Sequence, residues 1–229
     1  MNVTGGYARY ALYYTPPAGP LAVAGASWLG WDIAQGRIAP QPALALNMAA
    51  ITAEPRKYGF HATLKPPFRL AEGQTPDALL QAARDLCAAL PPVTLPALRL
   101  ARLGRFLALI PDPQPAALDT LAARLVADLD AFRAAATPDD LARRRSAGLT
   151  PAQDALLVQW GYPYVMDEFR FHMTLTGKLE AADITAVEQS ARDHFGAHAT
   201  DGLTITDITL AGSDTTGHFH QIARLPLLG

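Results

Sequence analysis

Cysteine occurs once in this chain of 229 residues, at Cys87, so no internal disulfide can staple it. A lone thiol in an apolar helical run reads as a small buried side chain, which suits a reducing cytoplasm. Charge is also scarce and nearly balanced. Nineteen Lys and Arg face 21 Asp and Glu, leaving a formal −2, so no whole-molecule field draws in a polyanion. A long, wrapped nucleic acid is therefore not an expected partner, although a local pocket for one or two phosphates stays open. No apolar run approaches the roughly 18 residues of a membrane span. The opening MNVTGGYARYALYYTPP has no charged stretch leading into an apolar segment and a small-residue cleavage site, so no leader peptide is expected. A phosphate-cradling GxxxxGK[ST] loop, a dinucleotide glycine pattern and a nucleophilic serine motif are all missing.

What is present is a chain that is 50% apolar, enough for one generous core or two small lobes sharing one. Tyr7 to Tyr14 alternates as a strand and is stopped by Thr15-Pro16-Pro17. Helical signals follow over about 19–36 and 47–54. Thr75-Pro76-Asp77 opens a helix that runs to Leu90, with a hydroxyl cap and proline at its first position. Two extended runs, 93–101 and 105–110, precede a long Ala-rich helix over about 115–136, a shorter helix, and a capped helix from Thr150. A helix over 182–195 and strands over 203–211 and 218–225 complete the order.

One pattern stands out against this background. FHATLK at Phe60 to Lys65 and FHMTLT at Phe171 to Thr176 are nearly the same six residues, and each is followed by helix, strand, strand. Two copies are too few for a solenoid. The outline is an α+β fold with a bilobal pseudo-twofold duplication, each lobe an antiparallel sheet with helices on its outer face. The expected division is a first motif lobe over about 51–111, a helical segment over about 112–160 and a second motif lobe over about 161–229. The strand over about 7–14 joins the sheets.

Strand parity gives the pattern its chemistry. Residues two apart share a face, so Phe60, Ala62 and Leu64 oppose His61, Thr63 and Lys65. Likewise Phe171, Met173 and Leu175 oppose Arg170, His172, Thr174 and Thr176. If the polar faces converge, two imidazoles and two hydroxyls meet in one cleft. Hydrolysis of a phosphodiester needs a base for water and an acid for the leaving oxygen, on opposite sides of phosphorus. Two histidines supply both near neutral pH, and threonine hydroxyls can donate to the non-bridging oxygens.

The paired motifs HATL at His61 to Leu64 and HMTL at His172 to Leu175 resemble the signature of the 2H phosphoesterase superfamily. The longer contexts RKYGFHATLKPPFRL and WGYPYVMDEFRFHMTLTGKL are similar to its branch associated with phosphonate metabolism. The resemblance implies chemistry without a metal or other cofactor on a cyclic phosphodiester. For that branch the substrate would be ribose 5-phosphate 1,2-cyclic phosphate, opened to ribose 1,5-bisphosphate. His61 and His172 would be the acid and base, in an order the repeat leaves open, and Thr63 and Thr174 would hold the phosphate.

Lys65, Arg170, Arg56 and Lys57, in or beside the motifs, read either as cations for a further phosphate or as solvated surface charges. Tyr58, Tyr162 and Tyr164 read as cleft walls or as packing. His194 and His198 read as surface residues, and the run Arg143 to Arg145 as a solvated helix face. His218 and His220 share a strand face with no assigned part. The partner expected is a small phosphorylated sugar or nucleotide. An RNA-end or nucleoside 2′,3′-cyclic phosphodiesterase, and a phosphate-ligand binder without turnover, are the other readings.

Overall fold

The computed structural model describes residues 6–199 and 202–229; the first five residues, on which part of the leader reading rests, lie outside it. The chain opens with strand β1 (Arg9–Tyr14), then helix α1 (Pro20–Leu29), closed by Gly30 in the left-handed conformation at φ 82°. A two-rung hairpin of β2 (Trp31–Asp32) and β3 (Arg37–Ile38) occupies what sequence assigns to the end of that helix. Two single-turn helices follow, α2 (Met48–Ile51) and α3 (Ala53–Arg56), then strand β4 (Ala62–Phe68) carrying the first motif.

Helix α4 (Pro76–Ala88) starts as predicted, with the Thr75 hydroxyl accepting from the Ala78 N–H. The next extended run divides into β5 (Val93–Leu95) and β6 (Leu98–Leu103), and β7 (Phe106–Pro111) returns beside β6. Helix α5 (Ala116–Asp128) is shorter than its Ala-rich run, because a 3-10 turn takes over at Asp130–Phe132. Helices α6 (Pro138–Arg145) and α7 (Pro151–Trp160) each begin with a capping box, Thr137 with Asp140 and Thr150 with Gln153. Strand β8 is only Met173–Thr174; α8 (Ile184–Ala199), β9 (Leu203–Ile205), β10 (Asp207–Ser213) and β11 (Phe219–Pro226) complete the chain.

Seven strands form one sheet in the order β11-β10-β1-β4-β8-β7-β6, with every neighbouring pair antiparallel. The two motif strands are adjacent at its centre. The pairing crosses the expected lobe limits of about 51–111 and 161–229. Hairpin β6–β7, which follows the first motif in sequence, lies beside the second motif strand. Hairpin β10–β11, which follows the second motif, lies beyond β1 on the side of the first. The two hairpins carry the same strand-strand pattern, so order along the chain could not show which closes against which motif. A separate two-stranded ladder of β5 and β9 ties the two halves together again.

Parity holds for the apolar half of each motif. Phe60, Ala62, Leu64, Phe171, Met173 and Leu175 are each 3% exposed or less. They pack in the main core, where α4 lies on β10 and β11, α5 on β4, and α8 on β6 with α1 against it. Burying each large side chain contributes roughly 1.5–3 kcal/mol. A smaller apolar layer of Ala11, Tyr13, Trp31, Ile33, Ala211 and Phe219, with Tyr58 against it, forms on the other face of the sheet. That face carries the histidines.

Candidate active site

Register brings the motifs together. Ala62 of β4 pairs with Met173 of β8 in an antiparallel ladder. Continued one position either way, it sets His61 across from Thr174 and Thr63 across from His172. Residues directly opposite have Cβ atoms about 4.5–5.5 Å apart, and the two imidazoles fall on a diagonal of about 7–8 Å between Cβ atoms. Each histidine thus has a threonine two residues on in its own strand and another across the ladder.

His61 is held on three sides. Its Nδ1 lies 2.8 Å from the Gly59 carbonyl oxygen and its Nε2 lies 3.1 Å from the Thr63 hydroxyl. A carbonyl can only accept, so Nδ1 carries the proton of the neutral ring and Nε2 offers its lone pair. The Tyr13 ring packs on the imidazole at 4.0 Å between centroids. Burial, with a smaller push from the charge of His172, lowers the His61 pKa to about 4 against the opposing Gly59 hydrogen bond. His172 repeats the backbone contact, its Nδ1 lying 2.7 Å from the Arg170 carbonyl oxygen, and its ring lies 6.0 Å from Phe106.

A cavity of about 570 Å³ opens over this part of the sheet, and His61, Thr63, Thr174, Thr176 and Phe106 line it. Tyr13, Tyr58 and Tyr162 form its aromatic side, and Arg9, Arg144 and Lys178 bring cations to it. Its one carboxylate, Glu54, is held by Lys57 at 3.0 Å. The volume lies within the roughly 300–1,000 Å³ range of small-ligand sites.

Several cations named from sequence are elsewhere. Lys65 shares no wall with His61, because β-bulges in the β1–β4 ladder put Leu12 opposite Lys65 but Tyr13 opposite Thr63. The extra residue reverses side-chain parity. Lys65 is 2% exposed, its ammonium donating to the Val126 carbonyl at 2.9 Å in the last turn of α5, with Asp130 at 3.9 Å. Burial lowers its pKa to about 8. Arg170 is exposed and closes the 3-10 turn before it by donating to the Asp167 and Phe169 carbonyls. Arg56 binds the Leu29 carbonyl, Gln41 and Thr52, fastening α3 to the end of α1.

Of the tyrosines, Tyr58 lines the cavity and lies 5.9 Å from His61, centre to centre. Tyr162 lines it too, whereas Tyr164, 44% exposed, borders an adjoining outer hollow.

Sequence reasoning missed Tyr13, Arg9, Phe106, Arg144 and Lys178. A signal existed for two of them, since Arg9 and Tyr13 have the same parity in β1. Arg144 stands in the run assigned to a solvated face. Arg143 and Arg145 do face outward, on Asp140 and Asp154, and the residue between them turns inward. His194 is not a free surface residue: its Nε2 lies 2.9 Å from the Ala24 carbonyl and its ring packs on Trp28 and Phe195. His220 pairs with Asp214 at 2.8 Å and His218 packs against Trp31. Among the described residues, no three His, Cys, Asp or Glu side chains gather where a metal could be held, and no helix is long and apolar enough to cross a membrane.

Fold and site together define a mixed α/β protein whose two adjacent central strands bring His61, Thr63 and Thr174 to one cavity wall, with His172 beside Phe106. The chain belongs to the family described as "Protein of unknown function (DUF1045)", which matches residues 63–220. Two curated relatives are called "Ribose 1,5-bisphosphate phosphokinase PhnN". The one from Janthinobacterium sp. (strain Marseille) is 43% identical over 96% of this chain and 51% of its own length. The one from Laribacter hongkongensis (strain HLHK9) is 36% identical over 82% and 44%. The chain thus spans about half the length of the curated relatives it matches.

Among solved structures, apo E. coli LigT is 17% identical with TM-score 0.49, over 98% of this chain and 100% of LigT. A structure described as a phosphoesterase is 16% identical with TM-score 0.45, over 96% and 99%. Both likenesses are too distant to speak to chemistry.

Proposed function

We propose that this chain is a phosphodiesterase that opens a small cyclic phosphodiester by acid-base catalysis between two histidines. The observation that carries the reading is the adjacency of the motif strands, paired at Ala62 and Met173, which brings His61, Thr63 and Thr174 to one cavity with His172 on the neighbouring strand segment. A phosphoryl group between the imidazoles would have the threonine hydroxyls within reach of its non-bridging oxygens.

We infer the two roles from the surroundings. His61, neutral at pH 7 with its proton fixed on Nδ1, is the base: Nε2 takes a proton from water as the water oxygen attacks phosphorus. His172 is the acid, and its Nε2–H protonates the ring oxygen as the phosphorus–oxygen bond breaks. The Arg170 carbonyl fixes that ring's orientation through Nδ1. One water is consumed, and one proton passes from it, by way of the two imidazoles, to the leaving oxygen.

The substrate that fits best is ribose 5-phosphate 1,2-cyclic phosphate, opened at the 2-oxygen to ribose 1,5-bisphosphate. The curated relatives are named for a kinase acting on that product, and this chain matches about half of their length. It has no GxxxxGK[ST] loop of its own. We infer that the named kinase activity belongs to the part of those relatives that this chain does not match. Joining the step that makes ribose 1,5-bisphosphate to the step that phosphorylates it would then be a consecutive pair.

Phosphorus NMR of the cyclic compound with purified protein in excess chelator should show the ring phosphate replaced by a monoester. An unchanged spectrum, or turnover only after a divalent metal is added, would refute the assignment. The aromatic side of the cleft also favours a second reading, in which a nucleobase stacks there and the substrate is a nucleoside 2′,3′-cyclic phosphate. Faster opening of such a nucleotide than of the cyclic ribose phosphate would select it. Binding of the cyclic ribose phosphate without product would select a ligand-binding protein.

A further inference from the structure

We propose that Arg9 and Arg144 form a second anion subsite, beside the histidine pair, that grips a phosphate distal to the one being hydrolysed and so sets substrate specificity. The proposal rests on the phosphodiesterase reading and adds the residues that choose among cyclic phosphates.

Most arginines around the cleft are already engaged. Arg69 and Arg143 both hold Asp140, Arg133 holds Asp130, and Arg145 holds Asp154. Arg9 and Arg144 enter no ion pair with a carboxylate among the described residues. Each is backed by an aromatic face, the Arg9 guanidinium 5.5 Å from the Phe219 ring centre and that of Arg144 4.5 Å from Tyr162. Both line the main cavity, an adjoining hollow of about 440 Å³ and another of about 110 Å³, so they stand where three spaces meet. Two like charges set side by side without a counterion repel each other. A guanidinium fork matches a phosphate with two parallel hydrogen bonds, and an anion between two such forks converts the repulsion into a clamp.

A second observation points to a ligand in the same place. Tyr13 is fully buried beneath this cavity's wall, and its hydroxyl has no hydrogen-bond partner. Tyr58, Arg9 and Tyr162 are its electrostatic neighbours. A buried hydroxyl left unpaired carries a desolvation cost, which a ligand oxygen accepting its proton would remove. The scaffold is firm: β1 carries Arg9 and Tyr13 between two ladders, and the Thr137–Asp140 capping box and the Arg69 ion pair fix α6, which carries Arg144.

The test compares two substrates that differ only in the distal phosphate, ribose 5-phosphate 1,2-cyclic phosphate and ribose 1,2-cyclic phosphate. The wild-type protein should prefer the first by about 10²-fold in kcat/KM, the order expected of charge-assisted contacts. In Arg9→Gln/Arg144→Gln the preference should collapse to a few-fold, with the loss in KM, while Arg145→Gln keeps it. Arg9→Lys/Arg144→Lys, which keeps charge but not the fork, should fall between and guards against a double variant that fails to fold. A wild type indifferent to the distal phosphate, or a double variant with the preference intact, would overturn the subsite. Calorimetric titration with ribose 5-phosphate judges it apart from turnover. Binding lost in the double variant supports it, and no binding to the wild type, or equal binding to both, refutes it. If neither cyclic compound is opened, the phosphodiesterase reading fails and the titration alone decides the subsite.

Discussion

The two motifs are almost the same six residues, yet the protein treats them differently. The first ends in a seven-residue strand between β1 and β8, and its imidazole is packed under Tyr13 and engaged at both nitrogens. The second has a strand of two residues, and its imidazole is engaged at Nδ1 and faces Phe106 at longer range. Burial thus lowers the proton affinity of the first ring, while the second is packed more loosely. On the proposed reading, that difference in packing makes His61 the base and His172 the acid in a pair that the sequence repeat makes equivalent.

The comparison can be broken most directly at the histidines. His61→Ala and His172→Ala should each lower kcat by about 10²–10⁴ with the fold retained. On a phosphodiester with a nitrophenol leaving group, which departs without a proton, the loss in His172→Ala should shrink and that in His61→Ala should not. The reverse pattern would exchange the two roles. Thr63→Val and Thr174→Val should cost about 10² in kcat, as expected for one donor to a developing charge. Equal losses would place the threonines symmetrically about phosphorus, and an effect confined to KM would remove them from the transition state.

The pH dependence sharpens the same contrast. With His61 near 4, the acid limb of kcat/KM should fall near pH 4 and not near the ordinary imidazole value of about 6.5. The unfolded chain takes up this proton first as pH falls. The stability contribution of neutral His61 is thus complete above about pH 6.5, declines between there and about 4, and is absent below. His61→Gln should flatten that part of a plot of Tm against pH. An unchanged slope would show that the folded protein does not hold this ring neutral. The smallest expected effect is at Lys65. Lys65→Met leaves the Val126 carbonyl without its donor and should cost about 1–3 kcal/mol in stability while turnover persists. A large loss of turnover in a folded variant would return Lys65 to the site.

Much of this was legible in the chain because period-two patterning determines which side chains share a face. The repeat marked two segments that lie side by side in the sheet, and the capping signals at Thr75 and Thr150 placed two helix starts. Parity failed where a strand was not regular. The bulges in the β1–β4 ladder turned Lys65 into the core, and the 3-10 turn before Arg170 drew that side chain to its own carbonyls. Arg144 could not be told from Arg143 and Arg145, since a run of three like residues on a helix does not show which one turns inward. The exchange of hairpins between the motif strands could not be read, because strand pairing leaves no trace in local patterning.

That exchange also governs when the cleft can come into being. The floor beneath His61 depends on β1 meeting residues 207–213, nearly the whole length of the chain away. Such distant pairing makes folding slow relative to a helical bundle of the same size. A chain in which this hairpin has not yet docked has its first histidine but no completed sheet beneath it, so the cleft forms only once residues 207–213 are in place.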